Sequence, residues 1–155
     1  MRKVLLDAAF EAANELEGRA KSRAVLRIIR NARKDEKDYV LGEATKVARA
    51  FEGVDKARAL VDIADNYRDR SKALTLLAEA VTVLDGSKDT SAPAEWNEVA
   101  ERVFETHGRL RVEEAQAYGK DVPEDILDTA TAAVQRITNS QTRANYLTML
   151  LAINQ

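Results

Sequence analysis

Breaking a phosphodiester or any comparable bond calls for a group that moves a proton near neutral pH, and the chain has one histidine, His107. Arg102 stands just before it in the run Arg102-Val103-Phe104-Glu105-Thr106-His107-Gly108. An imidazole beside a guanidinium can transfer a proton while the cation stabilises charge developing on oxygen. The same histidine also extends the apolar stripe Trp96, Val99, Ala100, Val103 and Phe104, and a ring tucked against a core is the stronger reading of such a position. Other chemistries fail on inventory. No cysteine is present, which excludes disulfides, thiolate zinc sites and thiol catalysis. A single histidine leaves no His-based metal cluster, and no Gly-rich phosphate loop or Gly-x-Ser-x-Gly turn occurs. No metal or cofactor is therefore expected. Glu95, Glu98, Glu101 and Glu105 read as the solvated face of an amphipathic helix.

An arginine and a histidine separated by four residues and followed by glycine resemble the signature of the HEPN superfamily of helical ribonucleases and nucleotide-linked toxins. The resemblance implies His107 as proton-transfer group and Arg102 as charge stabiliser. The chain departs from the family where Val103 replaces its frequent polar residue.

A second constellation is electrostatic. Arg19, Lys21, Arg23, Arg27, Arg30, Arg33 and Lys34 fall between Gly18 and Lys34 without one acid. On a helix Arg23, Arg27, Arg30 and Lys34 share a face that can meet an acidic protein or phosphates. Displaced by 35 residues, Arg27 falls on Asp62, Arg30 on Asp65 and Lys34 on Asp69. This charge reversal predicts that two stacked helices pair Arg27 with Asp62 and Arg30 with Asp65. The net charge of −2 weighs against a dedicated nucleic-acid binder without removing that option.

These residues need helices to position them. The same displacement lays Gly18 on Gly53, Lys21 on Lys56, Arg23-Ala24 on Arg58-Ala59, Ile28 on Ile63, Asn31 on Asn66 and Arg33 on Arg68. Self-similarity at such a period marks stacked repeats. In 155 residues with two prolines, six glycines and 32% charged side chains, helix propensity dominates. Apolar periodicity predicts helices over 3–17, 20–33, 38–52, 54–68, 71–85, 93–107, 109–118, 123–137 and 140–153, the sixth and seventh joinable through Gly108. Gly18, Gly53, Gly86 and Gly119 read as left-handed caps, and Asp121 with Glu124 as a capping box. The polar run 87–93 reads as a hinge within a single domain over 1–155.

The helix-turn-helix unit and its period resemble the tetratricopeptide-like class, which implies a surface that binds peptides or partner proteins. The family's Trp-Leu-Gly-Tyr set is missing, so no binding residue carries over. The expected fold is all-α, stacked antiparallel helix pairs or a compact bundle derived from them. The expected function is a protein-interaction or scaffold module without catalysis, its partner another protein, acidic or not, or a second copy. Alternatives are a HEPN-like ribonuclease and a nucleic-acid-associated module using the basic 19–34 helix. Tyr146, Leu147, Leu150 and Leu151 spread round the last helix and mark either burial or an oligomer interface. Asp7 and Glu11 interrupt the apolar stretch a signal peptide needs, and no run reaches membrane-spanning length, so a cytoplasmic location with no membrane partner is expected.

Overall fold

The computed structural model describes residues 1–153, and these form α1 (Lys3–Asn14), α2 (Gly18–Asn31), α3 (Lys37–Ala50), α4 (Gly53–Ala64), α5 (Arg70–Ser87), α6 (Pro93–Tyr118), α7 (Glu124–Gln135) and α8 (Ser140–Ala152). Short 3-10 turns occupy Lys34–Glu36 and Gly119–Asp121, and no strand occurs among the described residues. The fold is all-α. Each helix packs on the next, and α2, α4, α6 and α8 also pack on one another in that order. These four form a layer whose two ends are open: α2 meets only α4 within it, and α8 only α6. Among the described residues no helix is long and apolar enough to cross a membrane.

The 35-residue displacement reappears as geometry. Glu17 and Glu52 are extended (φ −127°, ψ 157° and φ −122°, ψ 153°), and each precedes a glycine at positive φ, Gly18 at 54° and Gly53 at 59°. A left-handed backbone without a Cβ lets the chain reverse into the next helix at no steric cost. Near the far end of each helix an asparagine side chain folds back: Asn31 donates to the Arg27 carbonyl and Asn66 to the Asp62 carbonyl, both at 2.8 Å. A second echo joins α5 and α8, where Asp69 accepts from the Lys72 N–H and Asn139 from the Thr142 N–H.

Gly86 departs from the expected rhythm. Helix α5 runs through it to Ser87, whose hydroxyl donates to the Val83 carbonyl, so Gly86 caps nothing. That leaves residues 88–92 as the connection between α5 and α6, with the Trp96 indole N–H on the Leu84 carbonyl at 2.9 Å and the Lys88 ammonium 5.3 Å from the Trp96 ring centroid. The Asp121–Glu124 capping box is not formed either, because Asp121 closes a 3-10 turn and α7 starts without a side-chain cap.

Two apolar cores result. The larger runs from α1 to Phe104 of α6, and the smaller gathers Val112, Ala115, Ala130, Val134, Ile137 and Leu150. Their junction falls at His107 and Gly108 on a single unbroken α6. Gly108 is there for contact: a Cβ on it would stand 2.7 Å from Ile137 Cδ1, so its absence is what brings α7 against α6.

Candidate functional site

Helix α2 carries the candidate surface. Ser22, Val25, Leu26 and Ile29 turn toward α3 and α4, where they meet Ala44, Val47, Ala59 and Ile63. At about 100° per residue, Arg19, Arg23, Arg27 and Arg30 then fall within about 80° of arc on another side. All four are exposed. None of them makes an ion pair or a side-chain hydrogen bond among the described residues, and the same holds for Arg33 and Lys34.

The expected pairing of Arg27 with Asp62 and Arg30 with Asp65 is not formed. Helices α2 and α4 do lie side by side, yet both aspartates turn to α6, where Arg102 donates Nη1 to Asp62 and Nη2 to Asp65, the latter at 2.6 Å. A planar guanidinium with two donors on two carboxylates holds them better than two separate cations at the edge of the layer. Arg58 acts similarly one turn away, donating to Asp55 at 2.8 Å and to Glu95 of α6 at 2.9 Å. Thus α4 and α6 consume each other's charge and α2 keeps its own. Lys34 also leaves the predicted face. Helix α2 ends at Asn31 with Ala32 extended, and the Lys37 ammonium takes the Ile29 carbonyl at 2.7 Å, so Lys34 sits in the following 3-10 turn.

Beside the basic row lies a groove of about 230 Å³ between α1 and α2, lined by Leu5, Leu6, Ala9 and Ile28 with Arg2, Arg27 and Asn31 at its rim. Leu5 is 60% exposed and Val4 86%. Arg27 thus belongs to both the cationic row and the apolar groove.

Arg102 and His107 are not brought to a common partner. Arg102 is engaged by Asp62 and Asp65, while His107 Nε2 accepts from Arg111 Nε at 3.3 Å. Five residues along a helix turn two side chains about 140° apart, which is why adjacency in sequence did not become a cleft. Burial, followed by the charges of Arg111 and Arg136, pushes the His107 pKa down to about 4. Along the same helix Trp96 meets Phe104 edge-on at 6.3 Å, and Arg136 covers the Phe104 ring at 4.3 Å. Arg136 also forks onto Asp85 at 3.0 and 2.6 Å, tying α7 to α5.

Of the four α8 residues read as an interface, Leu150 is buried in the smaller core, and Tyr146 and Leu147 pack against it. Leu151 alone of the four is open, at 74%, and Met149 joins it at 44%. Sequence reasoning missed Glu36, which is fully buried and accepts the backbone N–H of Arg2 and of Arg33 and two donors of the Arg2 guanidinium. Nothing in Lys34-Asp35-Glu36-Lys37 distinguishes that glutamate from its neighbours. Comparison of the chain with family models, with curated proteins and with solved structures returned no match.

Proposed function

We propose that this protein is a non-catalytic interaction module, built as a tetratricopeptide-like helical array, that docks an acidic protein along α2. One observation carries the reading: Arg19, Arg23, Arg27 and Arg30 stand in one exposed row without acids, although Asp62 and Asp65 on the adjacent helix are spent on Arg102. Like charges a turn apart on one helix repel, so the row costs stability that internal pairing would have recovered. A partner with carboxylates recovers it on binding, with a fast, salt-sensitive association. The flanking Leu5, Ala9 and Ile28 favour protein over nucleic acid, because a phosphodiester backbone makes no use of an aliphatic groove. Base stacking would call for exposed rings, and the rings of α1 to α3, Phe10 and Tyr39, are buried and half-buried.

The test is affinity capture from nuclease-treated extract with the wild type and with Arg23→Glu/Arg27→Glu/Arg30→Glu. Acidic proteins should be retained by the wild type, released by salt and absent from the variant; an unchanged set on the variant would overturn the reading. The ribonuclease alternative is answered by an RNA-cleavage assay on the wild type, Arg102→Ala and His107→Ala. Metal-independent cleavage lost in both folded variants would replace the scaffold reading with the enzyme.

A further inference from the structure

Each even-numbered helix seats on the hairpin that follows it: α2 on α3 and α4, α4 on α5 and α6, α6 on α7 and α8. In the first of these seats Ser22, Val25 and Leu26 of α2 close over Ala44 and Phe51 at α3 and over Asp62 and Ile63 of α4. The 35-residue displacement carries those last four positions back to Ala9, Leu16, Arg27 and Ile28 on the first hairpin. There the face is open. Ala44 and Ile63 are buried, whereas Ala9 and Ile28 are half-buried and line the α1/α2 groove with Leu5. Phe51 is half-buried and Leu16 exposed. The first hairpin thus repeats the apolar surface on which a helix sits in the second, and presents it to water. A terminal repeat left to solvent normally carries a polar outer face. The charge at the edge is reversed as well: Asp62 beside the occupied seat is held by Arg102, while Arg27 beside the open one has no ion pair among the described residues.

We propose that this open face takes one amphipathic α-helix of the acidic partner, seated on α1 and α2 as α2 itself is seated on α3 and α4. Small and aliphatic residues of that helix, spaced like Ser22, Val25 and Leu26, lie over Leu5, Ala9 and Ile28, and a carboxylate on its flank meets Arg27. Anchors at i, i+3 and i+4 are how a helix is read by a groove between two others. Alanine at position 9, like Ala44 in the second hairpin, lets the helix axes approach closely. The exposed charges at the rim make the contact weaken with salt. This inference rests on the reading of α2 as a docking surface and names the element that lies on it and its place.

The probe is an end-capped peptide of this chain's own seated helix, residues 17–32, made with Arg19→Glu, Arg23→Glu, Arg27→Glu and Arg30→Glu. It keeps the apolar stripe of α2 and turns the flank acidic. Titrated into isotope-labelled wild-type protein, it should shift the NMR signals of Leu5, Ala9, Arg27 and Ile28. The same peptide with its arginines unchanged should bind at least ~10-fold more weakly. Two protein variants then separate a seated helix from attraction to the arginine row alone. Ala9→Lys raises a long side chain in the seat while adding a positive charge, so it should weaken the acidic peptide at least ~10-fold, where attraction to the row alone would leave binding equal or tighter. Leu5→Ser, at an exposed position, should weaken it too, and decides the matter should Ala9→Lys melt early. Undiminished binding by the folded variants overturns the proposal, and so does an acidic peptide that fails to bind at millimolar concentration. A wild type that shows the same shifts on concentration without peptide also overturns it, because the occupant is then a second copy. None of these failures touches α2 as a docking surface, which fails only if the capture experiment retains its acidic proteins after Arg23, Arg27 and Arg30 are reversed.

Discussion

Asp62 on α4 pairs with Arg102 on α6, 40 residues away, and not with Arg27 at the repeat-equivalent position on α2. Its side chain is 15% exposed against 44% for Arg102, so the pair is half screened by solvent. A double-mutant cycle on Arg102→Ala and Asp62→Ala, read by urea unfolding, should give a coupling of about 1 kcal/mol. The cycle on Arg27→Ala and Asp62→Ala should give none. Comparable coupling in the second cycle would return Arg27 to internal pairing and remove the free cationic row.

Gly108 is a packing residue in mid-helix. Elsewhere in a helix, alanine in place of glycine stabilises by about 1 kcal/mol. Here the added Cβ meets Ile137 Cδ1 at 2.7 Å, Ile137 Cγ1 at 3.2 Å and the Ala133 carbonyl oxygen at 3.5 Å, and Ile137 is only 1% exposed. Gly108→Ala should therefore show no gain, and Gly108→Val should destabilise by about 2–3 kcal/mol in chemical denaturation. Ile137→Val removes the nearest atom, so Gly108→Ala/Ile137→Val should be more stable than the sum of its single changes. Strict additivity would show that the added Cβ does not press on Ile137 and that Gly108 is not what sets the approach of α7 to α6.

Glu36 fastens the start of α1 to the α2–α3 connection. Its carboxylate accepts the Arg2 N–H at 2.9 Å, Arg2 Nη2 at 2.8 Å and the Arg33 N–H at 2.8 Å. The Arg2 guanidinium and these backbone donors hold the carboxyl well below the usual carboxylate range. A depressed folded pKa means that this stabilisation is complete above the unfolded value of about 4.5 and is lost as pH falls beneath it. Glu36→Gln puts an amide N–H₂ against donors, so hydrogen exchange of α1 amides should accelerate and the melting temperature should drop. Unchanged protection of α1 would mean that Leu6 and Phe10 hold that helix without the latch.

Period and charge made the helices legible, and the equivalence of Gly18 with Gly53 survived into near-identical dihedrals. Equivalent positions along a chain say nothing about which way a side chain turns. The charge reversal between Arg27 and Asp62 was therefore legible, while the competing Arg102, on a third helix, was not. Gly86 and Gly108 look alike in sequence as possible breakers; one is an exposed helical residue and the other a contact point, and only the neighbouring helix decides which. Long-range ties such as Arg2 to Glu36 and Arg136 to Asp85 leave no local pattern to read.

His107 marks the junction of the two cores, and pH gives the cleanest access to it. Its Nε2 already accepts from Arg111, so protonation there removes that bond and adds a cation beside Arg111 and Arg136 in a partly buried site. The folded ring takes up its proton near pH 4, whereas in the unfolded chain it does so near the ordinary 6.5. The unfolded state thus binds more protons between those values, and stability is full above about pH 6.5 and falls as pH is lowered toward 4. The total loss is on the order of 2–3 kcal/mol. The Glu36 contribution falls away only below about 4.5, so the upper part of the window belongs to the histidine. Urea unfolding of the wild type at pH 7, 6 and 5 should show this decline, and His107→Gln, whose carbonyl can still accept from Arg111, should be nearly flat over the same range. An imidazole that titrates near 6.5 in the folded protein by NMR would sink this account. It would also restore the proton-transfer group that a ribonuclease needs, since a histidine held near pH 4 carries almost no proton to donate at neutral pH.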